Sequence, residues 1–179
     1  LLQVISRFGL SLGFGDHSVK QVCSENGIDC RTFLAVVNFL TEANFEVDHD
    51  YEDISIGSLI NYLKNAHVYF LEFKLPQIRN KLIEAVSSHD QNVPYLTVFL
   101  KFYDEYFSEV RKHMEYEDKV AFPYVIRLLN DEPGLIYNIS VFRHRHNEIE
   151  SKLVELKNIL VKYYPDKGNN PLLTEVLFD

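Results

Sequence analysis

The chain has 179 residues, 46% of them hydrophobic and 25% charged, so it can bury an ordinary core and shows none of the apolar depletion that marks disorder. A formal net charge of −8 with no clustered Lys or Arg excludes a nucleic-acid backbone as the main partner. Cys23 and Cys30 are too few for a disulfide framework, and no stretch reads as a signal peptide or as an apolar span of about 20 residues, so a cytoplasmic location without a membrane partner is expected.

Residues 1–43 read as short helices broken by glycine turns: Val4–Phe8 stopped by Gly9, Ser18–Glu25 stopped by Gly27, and Arg31–Glu42 after a cap at Asp29. Val19, Val22, Phe33, Val36, Val37 and Leu40 are the expected core of this small helical module. Residues 44–53 are acidic and lack helical periodicity, as a solvated linker does, and the domain boundary is placed there. From 54 to 179, apolar stripes at spacings of three and four predict a helical bundle, and no strand pattern competes.

The first stripe runs Leu59, Leu63, His67, Phe70, Leu71, Leu75, Ile78, Leu82 and Val86, with a kink expected at Pro76. The second runs Leu96, Leu100, Tyr103, Phe107, Val110, His113, Glu117, Val120, Tyr124 and Leu128. The third runs Ile139, Phe142, His146, Ile149, Leu153, Leu156, Leu160 and Tyr163. A fourth helix opens at Pro171-Leu172-Leu173. The expected fold is therefore all-α, an up-down four-helix bundle whose fourth helix is cut short, preceded by the small module.

Polar residues hold stripe positions where Leu or Val belongs: His67, His113, Glu117 and His146. A buried, unpartnered carboxylate costs several kcal/mol or more, so Glu117 needs a proton, a counter-charge or a metal. His113 and Glu117 are four apart, which places them on one helix face at about 5–6 Å between Cβ atoms. A single inward histidine is ordinarily a hydrogen-bonded core residue. Three with a glutamate point instead to a metal site, and imidazole with carboxylate suits iron, manganese or zinc. His144 is rotated about 200° from His146, and His89 lies about 33 Å along a continuous helix from His67, so neither joins the set. His17 and His49 fall in a turn and in the linker. Glu115, Asp118, Glu148 and Glu150 leave the stripe register and are read as the wet face.

The stretch His113-Met-Glu-Tyr-Glu117-Asp-Lys-Val-Ala-Phe122-Pro123 resembles the H-x-x-x-E…F-P signature of hemerythrin-like (HHE cation-binding) domains. Such domains are pseudo-repeats, each half giving one histidine and then a His-x-x-x-Glu pair, so that two irons are held by histidines and bridged by glutamates. By that resemblance His67, His113 and Glu117 form the first half and His146 opens the second. Arg7-Phe8-Gly9-Leu10 with Gly15, Val22-Cys23 and Gly27-Ile28-Asp29 is similar to the N-terminal module of repair-of-iron-centres (RIC) proteins. Members often carry a Cys-Cys pair in the turn of that module, where this chain has Ser11-Leu12-Gly13-Phe14-Gly15.

The resemblance implies a di-iron protein tied to nitrosative or oxidative stress that delivers iron to damaged iron–sulfur acceptor proteins or processes nitric oxide, with binding and delivery favoured over turnover as an enzyme. The alternative is a signalling module that senses nitric oxide or dioxygen at the same site. His67 precedes His113 by 113 − 67 = 46 residues, and a similar interval from His146 puts the second His-x-x-x-Glu pair near about position 190. The expectation is a partly built iron site, with an apolar groove that a second copy of the chain covers.

Overall fold

The computed structural model describes residues 1–41, 54–87, 93–132, 139–165 and 169–179, except for the side chains of Val93 and residues 139–145. The described residues contain helices and no strand, as the stripes predict. No helix among them is long and apolar enough to cross a membrane. The chain divides into two compact units, Leu1–Tyr69 and Phe70–Asp179.

Local capping chemistry sets the helices of the first unit, which are α1 (Leu2–Arg7), α2 (Val19–Glu25), α3 (Cys30–Thr41) and α4 (Ile56–Tyr69). Ser18 starts α2 with a capping box: its hydroxyl accepts from the Gln21 N–H, and the Gln21 side chain accepts from the Ser18 N–H at 2.8 Å. Gly27, at φ +65°, reverses the chain after α2, a backbone conformation that a Cβ disfavours. Asp29 then caps α3 by accepting the Thr32 N–H at 2.7 Å. The Thr32 hydroxyl in turn accepts the Ser55 N–H at 2.9 Å, tying the start of α3 to the start of α4.

Phe8 centres the core of this unit, its ring 5.2 Å from Phe33 and 4.8 Å from Tyr62. Val22 and Phe33 are buried there as expected, and Val36 and Val37 pack against it. Val19 and Leu40, expected in the same core, are exposed. Both sit in terminal turns, and the volume is filled instead by Phe8 and Leu10 beside α1 and by Tyr62 of α4. The expected linker, 44–53, lies outside the described residues.

In the second unit a π turn (Phe70–Lys74) leads into α5 (Leu75–Ser87). There follow α6 (Val93–Tyr116), a second π turn (Glu117–Ala121), α7 (Phe122–Leu129), α8 (Ile139–Tyr163) and α9 (Pro171–Phe178). α6 packs on α5 and α8, and α9 packs on α5. Leu82, Ala85, Val86, Phe99 and Tyr103 of α5 and α6 meet Leu156 and Leu160 of α8 and Leu173 and Val176 of α9 in one core. Each large side chain buried there stabilises the fold by about 1.5–3 kcal/mol. Arg79 clamps Asp104 through two hydrogen bonds, 2.7 and 3.0 Å, joining α5 to α6 at the surface.

The two π turns share one register: five residues, then one more, then proline, at Leu75-Pro76 and at Phe122-Pro123. Proline cannot donate to the carbonyl four residues back, here Glu72 or Lys119, and its ring crowds that carbonyl. Widening the preceding turn to i→i+5 bonding relieves the clash without ending the helix. The kink expected at Pro76 is therefore a π turn just ahead of it. Tyr103 braces that place by donating to the Leu75 carbonyl at 2.7 Å. The second π turn also corrects the second stripe. Val120 is exposed while Ala121 and Phe122 are buried, because the wider turn moves the inward position one residue along; Leu128 is exposed near the end of α7, as is its neighbour Leu129. Tyr163, the last residue of α8, is likewise exposed rather than inward.

Candidate metal centre

His113 lies in the last turn of α6 and Glu117 opens the π turn that follows, so the spacing of four puts both side chains on one face. His146 comes from α8, which packs along α6. The three donor atoms form a triangle. His113 Nε2 is 3.1 Å from Glu117 Oε1, His146 Nε2 is 2.9 Å from the same oxygen, and the two Nε2 atoms are 3.1 Å apart. The imidazole rings meet edge-on, with centroids 4.3 Å apart and planes at 89°.

The donor set fits a cation. Three lone-pair-bearing atoms at such separations repel one another unless a proton or a metal lies among them, and Glu117 is 6% exposed, too buried for water to screen its charge. The observed edges of 2.9–3.1 Å bring all three atoms close enough to share one cation. Two imidazoles with one carboxylate are a donor set that suits iron, manganese or zinc. All three residues offer a ligand atom within 4.8 Å of the others.

Of the four residues singled out from sequence, His113, Glu117 and His146 converge within the second unit. His113 and Glu117 are buried. The His146 side chain is 51% exposed, so it reaches the triangle from the rim rather than pointing fully inward. His67 belongs to the first unit, where it is buried near the end of α4, three residues before the first π turn. His17 forms an exposed contact with Glu25 at 3.3 Å. His49, His89 and the side chain of His144 lie outside the described residues. Glu115 is on the wet face as expected, bonded to Lys119 at 2.9 Å. That hydrogen bond holds its carboxyl below the usual carboxylate range. The π turn that begins at Glu117 was not anticipated. Its sequence signal is Pro123, six residues after the glutamate.

No solved structure matches the chain. Residues 58–177 match the Hemerythrin HHE cation binding domain, a span that contains His67, His113, Glu117 and His146 and two thirds of the chain. On that match the chain belongs to the hemerythrin HHE cation-binding domain family.

Proposed function

We infer that this protein binds iron through His113, Glu117 and His146, as part of a di-iron centre, and delivers it for the repair of iron–sulfur clusters under nitrosative or oxidative stress. The observation that carries the iron reading is Glu117, a buried carboxylate whose Oε1 has an imidazole nitrogen on each side. Bound there, iron supplies open coordination positions and one-electron redox chemistry. The residues supply two neutral nitrogen donors, one anionic oxygen and a largely dry wall behind them. The half-exposed His146 leaves one edge of the triangle open to solvent. Delivery requires an ion that can reach and leave the site, and His146 is the ligand that solvent reaches. The similarity of Arg7-Phe8-Gly9-Leu10 and Gly27-Ile28-Asp29 to the RIC module supports repair over other uses of iron.

The same open edge admits a small diatomic ligand, which supports sensing of nitric oxide or dioxygen as the second reading. Metal analysis and optical spectroscopy on anaerobically purified protein test the iron reading: bound iron is expected, and its absence after reconstitution overturns it. Transfer from the loaded protein to an apo iron–sulfur acceptor separates the two uses. Restored cluster absorbance supports delivery, and tight retention of iron with a spectral change under nitric oxide supports sensing.

A further inference from the structure

The first unit brings the chain's two cysteines together. Cys23 lies in the second half of α2 and Cys30 opens α3. Between them Gly27 takes its left-handed conformation, and the Ile28 N–H returns to the Cys23 carbonyl at 2.9 Å. This reversal folds the start of α3 back over the end of α2. Both cysteine side chains belong to one cluster as a result, Cys23 inside it and Cys30 packed against it. Cys23 is 0% exposed, inside the core with Val22 and Phe33, while Cys30 is partly exposed at the edge of the same cluster.

We propose that Cys23 and Cys30 form a peroxide-responsive thiol pair, with Cys30 oxidised first and Cys23 closing an intramolecular disulfide. The order follows from access. Only Cys30 meets solvent, and Cys23 is further restrained because burial and then the neighbouring Cys30 push its thiol up to about 11. The Cys30 thiolate attacks one oxygen of hydrogen peroxide. The O–O bond breaks, an S–O bond forms to give the sulfenic acid, and the displaced hydroxide takes a proton to leave as water. The Cys23 sulfur then attacks the Cys30 sulfur. The S–S bond forms as the S–O bond breaks, and the departing hydroxide carries away the Cys23 proton as a second water. In total two thiols lose two electrons and one peroxide becomes two waters.

The test treats the reduced full chain with equimolar hydrogen peroxide and reads intact mass, free thiols and a peptide map. The expected product is a monomer about 2 Da lighter, reverting with dithiothreitol, because disulfide formation removes two hydrogens. Its free thiols fall from two to none, and its map shows a Cys23–Cys30 linked peptide. Cys23→Ser should stop at a Cys30 sulfenic acid captured by dimedone, and Cys30→Ser should stay unmodified. Retention of both thiols, a disulfide-linked dimer, or two oxygens added at Cys30 without a crosslink would overturn the proposal. Should a serine variant fail to fold, the mass and map of the unsubstituted chain decide alone.

Discussion

Glu115 and Glu117 are two residues apart, yet one is solvated and paired with Lys119 while the other is enclosed by two imidazoles. Removing them should therefore differ in effect. Glu117→Ala in the full chain is expected to lower iron affinity by roughly tenfold or more, the scale on which perturbed metal shells respond, and Glu115→Ala to leave iron per chain unchanged by elemental analysis. Equal losses would mean that the inward register is misread. Asp29 shows a second residue-level effect, since the Thr32 hydroxyl and then the Thr32 N–H hold its carboxyl below the usual range. A depressed carboxyl adds stability that is complete above its unfolded value of about 4 and is lost as pH falls through the lower folded value. Asp29→Ala should thus cost about 1 kcal/mol at neutral pH, as lost caps do. In chemical denaturation the gap between variant and parent should close in strong acid. His113 and Glu117 were legible because an interval of four on an apolar stripe has one geometric meaning. The partial exposure of His146 was not, because it depends on how α8 lies along α6.

Helix boundaries at the front of the chain could be read from local chemistry, since Ser18, Gln21, Gly27 and Asp29 act within a few residues of themselves. The π turns escaped the same reading. A stripe counted at 3.6 residues per turn carries Val120 inward, and only the proline downstream betrays that the turn at Glu117 is wider. This makes Pro123 a positioning residue for Glu117. Pro123→Ala restores an N–H for the Lys119 carbonyl, removes the crowding, and allows the segment to tighten to α geometry. Iron affinity should then fall by roughly tenfold, as for other changes that disturb ligand orientation. Helix content by far-ultraviolet circular dichroism should stay the same. An unchanged affinity would show that the wide turn does not depend on the proline.

At the scale of the whole chain, the all-α class was legible because stripes of period three to four run through most of it. The boundary read from the acidic run at 44–53 falls outside the described residues; Tyr62 of α4 packs in the core of the compact unit Leu1–Tyr69, and the family match begins at residue 58. A ligand that binds only the folded state adds RT ln(1 + [L]/Kd), about 2.7 kcal/mol at a hundredfold excess over Kd. Anaerobic ferrous iron is accordingly expected to raise the thermal unfolding midpoint, a chelator to reverse the rise, and Glu117→Gln to abolish it.

The partners of α9 lie far away along the chain. Lys74 and Lys81 reach Asp179 and Glu175 across 105 and 94 residues, and the Asn170 amide that caps α9 donates to the Ala85 carbonyl across 85. Such contacts form only after the intervening chain has been closed into a large loop, and their entropic cost comes before any gain. Docking of α9 is therefore expected to come late in folding, after the loop that joins it to α5 has closed. Amide hydrogen exchange should find Leu173–Leu177 less protected than the centre of α6. Because Leu173 and Val176 cover Leu82, Ala85 and Val86, each release uncovers an apolar strip on α5, and self-association on heating should begin from that strip.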